Sequence, residues 1–132
     1  MATTTALLQA RSLSPGLTVN DLQRSRDFYV DGLGFTVEQE VAGESGDIAF
    51  IDLVAGNARL GLSQDDFAKG RDRIKGVGMR IFVETEQDIE ALARQARDAR
   101  IEVDGPRELP WGPIGFTVTD PDGFKLTVSK PV

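Results

Sequence analysis

The chain has 132 residues, enough for one domain that buries roughly two thirds of its unfolded surface. Charged residues make up 27% and hydrophobic ones 40%, an ordinary globular balance, and the net charge of −6 offers no basic stripe to nucleic acid or an anionic membrane. Cysteine and histidine are both absent, which removes disulfides, thiolate nucleophiles, Ser-His-Asp and Cys-His arrangements, and every thiolate or imidazole metal ligand. The opening residues MATTTALLQA carry neither a basic segment nor a long apolar one, so no signal peptide is expected. No run approaches the ~18 apolar residues of a membrane span, and a cytoplasmic location is expected.

Leu17 and Val19 alternate as one face of a first strand. Asn20 is the expected N-cap of the helix that follows, with Asp21 placing negative charge in its first turn. Leu22, Ser25, Tyr29 and Leu33 fall on one helical face, with Phe28 beside them, before Gly34 stops the helix and Phe35 opens a second strand. Three strand-like runs follow at 35–42, 47–55 and 58–64, separated by turns at 43–46 and at Gly56-Asn57. A polar connector then runs over 64–76, with one helical turn expected around Asp66–Lys69.

The order repeats. A strand is expected over 77–84, then a helix opened by Glu86 or Asp88 whose apolar face is Ile89, Leu92, Ala93, Ala96 and Ala99. A short strand around Ile101–Val103 ends at Gly105-Pro106, and strands over 115–120 and 124–130 are joined by Asp120-Pro121-Asp122-Gly123, the chemistry of a type I turn leading into a bulge. The expected fold is therefore α+β: one domain of two βαβββ modules, about 12–64 and 77–130. Their strands form a curved eight-stranded mixed sheet around a cup, with the helices on the outside.

These residues resemble the vicinal oxygen chelate superfamily, which includes glyoxalase I, extradiol dioxygenases, fosfomycin-resistance enzymes and bleomycin-resistance proteins. The stretch VNDLQRSRDFYVDGLGF (19–35) looks like the family's first module, and PWGPIGFTVTDPDGFKLTV (110–128) looks like its last two strands. Pro110-Trp111-Gly112 is similar to the bleomycin-resistance branch, where the matching tryptophan lines a drug-binding groove. The resemblance implies a homodimer.

Enzymes of this superfamily hold a divalent metal in the cup with histidines and a glutamate. Counting from Asp21, the resemblance puts those ligand positions near Ser14, at Gly61, near Gly78 or Arg80, and at Thr127. None is a side chain that zinc, iron or nickel selects, so no metal and no other cofactor is expected. Glu38, Glu40, Asp52 and Glu84 lie on strands without forming a cluster at one level. No residue is assigned a catalytic role.

Strand alternation sorts the faces. With Leu17, Val19, Leu60, Leu62, Met79, Ile81, Val83, Phe124, Leu126 and Val128 in the core, the cup receives Ser14, Gly16, Thr18, Arg59, Gly61, Ser63, Arg80, Phe82, Lys125, Thr127 and Ser129. Trp111 is either a wall on which a flat ligand stacks or a plug at the open end of the sheet. Arg59 and Arg80 either meet an anionic group of a ligand or reach solvent from strand ends, since an unpaired buried charge is very costly. Trp111, Phe82, Arg59, Arg80, Thr127 and Lys125 are the candidate ligand-binding residues. The expected function is metal-independent binding or sequestration of a small aromatic or amphipathic molecule in the cup or a dimer groove, as in bleomycin-resistance proteins. The alternatives are an enzyme of the same fold acting on a small oxygenated substrate, and a module that serves only for dimerisation or partner contact.

Overall fold

A computed structural model describes residues 7–132, so most of the stretch MATTTALLQA, read above as carrying no signal peptide, lies outside the described residues. Eight strands and two helices follow the expected order: β1 (Gly16–Val19), α1 (Leu22–Asp27), β2 (Thr36–Ala42), β3 (Ile48–Ala55), β4 (Ala58–Gln64), β5 (Arg80–Glu84), α2 (Ile89–Asp98), β6 (Asp104–Glu108), β7 (Ile114–Thr119) and β8 (Lys125–Lys130). Hydrogen bonding groups the strands into two four-stranded sheets, ordered β1-β4-β3-β2 and β5-β8-β7-β6. In each sheet the first strand pairs parallel with the last and the other pairs are antiparallel. The fold is α+β, built from two βαβββ modules. No helix among the described residues is long and apolar enough to cross a membrane.

The start of α1 departs from expectation. Asp21, not Asn20, is its N-cap: the Asp21 carboxylate accepts from the Arg24 backbone N–H at 3.2 Å. Asn20 is drawn elsewhere, its side-chain oxygen accepting from Nζ of Lys75 at 2.6 Å. A second cap arrives from β4, where the Gln64 carboxamide oxygen accepts from the Leu22 N–H at 2.9 Å and its nitrogen donates to the Asn20 carbonyl at 2.8 Å. After Asp27 the helix widens into a π-helical turn over Phe28–Gly32, and Leu22, Ser25, Tyr29 and Gly32 form its buried side.

α2 begins where Asp88 caps it, accepting from the N–H groups of Glu90 and Ala91. Its end explains a second correction. The apolar Ile101–Val103 is not a strand; β6 starts three residues later, at Asp104. Arg100 takes a left-handed conformation (φ 66°), its N–H bonds the Arg97 carbonyl at 2.9 Å, and the Ile101 N–H bonds the Ala96 carbonyl at 3.0 Å. That is a Schellman closure, and Ile101 is the apolar residue that follows it and folds back on the core. Its hydrophobicity belongs to the helix end. A Cβ on Gly32 would overlap Cδ1 of Ile101, so Gly32 lets the two modules approach here as well as ending a helix.

Three further expectations give way nearby. β5 starts at Arg80 rather than at residue 77, because Gly76 and Gly78 carry left-handed backbone (φ 66° and 75°), and Met79, expected in the core, is 37% exposed. The connector holds no helical turn at 66–69. It is a loop pinned by the buried Asp65, whose carboxylate meets Nζ of Lys75 at 2.8 Å and the Arg73 guanidinium at 3.4 Å.

The helix-covered faces of both sheets merge in one core, formed among others by Leu17, Tyr29, Leu53, Leu62, Phe116 and Leu126. The module junction inside that core is polar. Tyr29 in the first module donates its hydroxyl to Asp120 in the second at 2.7 Å, and both are buried. Asp120 also accepts from the backbone N–H groups of Asp122 and Phe124 at 2.9 Å each, inside the expected turn. Burial pushes the Asp120 carboxyl above its ordinary range, and burial beside that carboxylate pushes the Tyr29 hydroxyl far above its own.

Three outcomes follow from this packing. Tyr29→Phe should cost about 1.5–3 kcal/mol in urea unfolding, because it leaves a buried carboxylate oxygen without a donor. Gly32→Ala should lower the melting temperature through overpacking of about 1–3 kcal/mol, and pairing it with Ile101→Val should recover part of the loss. Lys75 and the Phe67 N–H hold the Asp65 carboxyl below its ordinary value of 3.8. A lowered folded-state value means that its stabilisation is present above 3.8 and is lost as pH falls below it. Asp65→Asn should accordingly be less stable at neutral pH and show a shallower decline on acidification in thermal melts.

Candidate functional site

Each sheet has a second face that α1 and α2 do not cover. On the second sheet that face is laid out by pairing: Arg80 stands opposite Lys125, Phe82 opposite Thr127, and Glu84 opposite Ser129. Thr119, Thr117 and Gly115 continue the three rows on β7. Ile81 and Val83, between them on β5, point the other way and pack against the core. A cationic row, an aromatic-hydroxyl row and an acidic row therefore lie side by side.

Phe82 is 59% exposed and Trp111, on the loop between β6 and β7, is 58% exposed. Their rings meet edge to face, with centroids 5.8 Å apart and planes at 82°. This is a favoured aromatic geometry, and two exposed rings joined in this way make a stiff apolar wall at little entropic cost. Trp111 is not buried as a plug would be; its ring rests against Phe82. Thr127 is at the centre of the same face but is 3% exposed, its hydroxyl bonded to that of Thr117 at 2.9 Å. It forms the floor. Thr117 escaped notice in the sequence, although the alternation of residues 115–120 places it on this face.

The seam between the two modules is a cleft of about 480 Å³ lined in part by Ser14, Arg59, Arg80, Phe82 and Glu84. A larger open cleft of about 1090 Å³ adjoins it, lined in part by the connector, Arg80, Phe82 and Lys125. Arg80 and Phe82 form the ridge shared by both. Of the six candidate residues, the structure thus brings Arg59, Arg80 and Phe82 into one cleft, sets Lys125 in the next, leans Trp111 on Phe82 and lays Thr127 beneath them.

The two arginines differ. Arg59 makes a two-pronged ion pair with Glu38, which holds its guanidinium even more firmly protonated than usual. Glu38 is the extra residue of a bulge in β2, where pairing slips between Val37 and Gln39, and a bulge re-aims its side chain. By sequence Glu38 is one of several dispersed acids, and the bulge is a feature that alternation does not reveal. Arg80 has no ion pair or hydrogen bond among the described residues, and Lys125 donates only to the Thr119 hydroxyl at 3.1 Å.

The family's metal does not fit these positions. Ser14, Gly61, Arg80 and Thr127 offer a hydroxyl at best, and Arg80 adds a positive charge. At Gly61 a Cβ would lie 3.0 Å from Cζ of the Phe50 ring, so any ligand side chain there requires that ring to shift. Among the described residues no three histidine, cysteine or carboxylate side chains gather in a way that could hold a metal ion.

Comparison with known proteins agrees with the architecture. The family described as "Glyoxalase/Bleomycin resistance protein/Dioxygenase superfamily" matches residues 11–128. Among solved structures, the chain is similar to TnmS3, an antibiotic binding protein from Streptomyces sp. CB03234, at 23% identity and a TM-score of 0.75, covering 96% of this chain and 100% of that one. It is similar to TioX from Micromonospora sp. ML1 at 17% identity and a TM-score of 0.72, covering 93% and 100%. A glyoxalase family protein from Enterococcus faecalis matches at 24% identity and a TM-score of 0.66, covering 93% and 98%. Identities this low establish a shared fold. No curated protein sequence matches the chain. With nearly its whole length matched and both modules in place, the chain belongs to the glyoxalase/bleomycin resistance protein/dioxygenase superfamily.

Proposed function

We propose that the protein binds and sequesters a small aromatic or amphipathic molecule, without a metal, on the uncovered face of the second sheet. The observation that carries this reading is the exposed Phe82–Trp111 pair standing over a hydroxyl floor beside an open cleft. Exposed aromatic rings fixed edge to face offer a flat ligand a stacking surface with little ordering cost. The antibiotic-binding neighbour TnmS3 supports a small molecule as the occupant.

The reading includes a homodimer. One chain leaves the second face of each sheet open, with Phe82, Trp111, Val41 and Ile48 all at least 41% exposed, and a second copy laid on them would close the cup. It also includes a cytoplasmic location, which a cysteine-free chain tolerates. The enzymatic alternative drew its motive from two inward arginines. The Glu38 partner of Arg59 removes half of that motive.

Trp111 is the only tryptophan, so its emission reports directly on the wall. Titration with planar antibiotics, bleomycin included, should shift or quench it saturably. Phe82→Ala should weaken binding about tenfold, the loss expected for one aromatic contact of about 1.4 kcal/mol. A panel that leaves Trp111 emission unmoved refutes the proposal, and stoichiometric zinc, iron, nickel or manganese in the purified protein refutes its metal-independent part.

A further inference from the structure

We infer that the ligand carries an acidic group, held by Arg80 and Lys125, so that the proposed site selects anionic aromatic molecules over neutral ones. This rests on the ligand-binding reading above and adds its electrostatic selectivity. The two cations are direct cross-strand neighbours on one face of the sheet, and the next row on that face is Phe82 and Thr127. Like charges set opposite each other on paired strands destabilise a sheet unless something compensates them. Nothing among the described residues does so for Arg80.

The contrast with the other cations of the cleft is informative. Arg73 and Lys75 are both spent on Asp65, and Arg71 stacks over the Phe67 ring at 4.4 Å. Arg59 is spent on Glu38. The acids nearby are largely committed: Asp104 pairs with Arg107 and is only more weakly drawn to Lys125, and Asp122 accepts from the Asn20 N–H and the Ser25 hydroxyl. Glu84 stands on the same face but beyond the aromatic row, opposite Ser129. In a chain of net charge −6, an unpaired Arg80 and a Lys125 that shares the charge of Asp104 with Arg107 thus flank an aromatic wall on an exposed face. A carboxylate, sulfonate or phenolate attached to a ring system that rests on Phe82 would reach both. Such a group makes charge-assisted hydrogen bonds, fork-like to the guanidinium and point-like to the ammonium.

The test uses the full-length protein and two probes with the same rings, anilinonaphthalene sulfonate and its uncharged parent phenylnaphthylamine, each titrated against Trp111 emission. The double variant R80Q/K125Q should weaken sulfonate binding about tenfold and leave the neutral parent within about twofold, a loss in the range of two partly exposed charge-assisted contacts. The charge-preserving R80K/K125R should keep most of the affinity. Added salt should weaken the sulfonate alone. Equal effects on both probes, or none on either, overturn the inference while leaving the aromatic site standing. Saturable binding of the neutral probe only does the same. Failure of both probes to bind the parent protein overturns the inference and the ligand-binding reading together. A dimer that dissociates in R80Q/K125Q by sedimentation, with sulfonate affinity unchanged, assigns the pair to the subunit interface and overturns the inference.

Discussion

The hydrogen bond from Tyr29 to Asp120 is the contact on which the arrangement of the two modules turns. Each module has its own sheet and helix, and among the described residues no strand pairing joins the two sheets. What fixes one against the other is a buried phenol from α1's π-helical extension on a carboxylate at the tip of the β7–β8 hairpin. Asp122, two residues on, accepts from the Asn20 N–H and the Ser25 hydroxyl, so the same hairpin grips the helix at both its start and its middle. Apolar contacts around it are non-directional and could slide; a buried polar pair cannot slide without stranding a carboxylate. The clamp therefore sets the angle between the modules, and with it the width of the seam where Arg59, Arg80 and Phe82 meet.

Much of this was legible in the sequence. Period-two alternation at Leu17, Leu60, Leu62, Leu126 and Val128 put the right faces in the core, because a strand with one covered face tolerates no other register. The turn at 120–123 was legible for its backbone, where proline and glycine have fixed roles, and silent about its carboxylates, which look like turn chemistry until a distant tyrosine arrives. The helix cap was misassigned to Asn20 because Lys75, fifty-five residues away, claims that side chain. Ile101 was read as a strand because an apolar residue closing a Schellman motif and one on a strand edge carry the same letter. The two failures differ in range: Asn20 is recruited by a partner far along the chain, whereas Ile101 is claimed by the helix end beside it.

The candidate site shows the same division. Parity placed Phe82, Lys125 and Thr127 together on one face, and the structure keeps them there. It could not separate Arg59 from Arg80, which read alike until a bulge in β2 delivers Glu38 to one of them. Burial separates Thr127 from the exposed candidates, although alternation treats them as equals. A face of this kind offers rings, hydroxyls and charge, and at the positions that the superfamily gives to its metal ligands it offers a hydroxyl at best.

Phe50 bears on one of those positions. Its ring crowds the space beside Gly61 in which the resemblance would set a metal-binding side chain, lying 3.0 Å from where a Cβ would stand. A side chain introduced at Gly61 would need that ring to give by a few tenths of an ångström, so this position is coupled to the rotamer of Phe50. The place that the resemblance assigns to a coordinating group is thereby tied to a second residue on the neighbouring strand. Installing a ligand there would be felt first in the packing of β3 against β4, before any metal arrived.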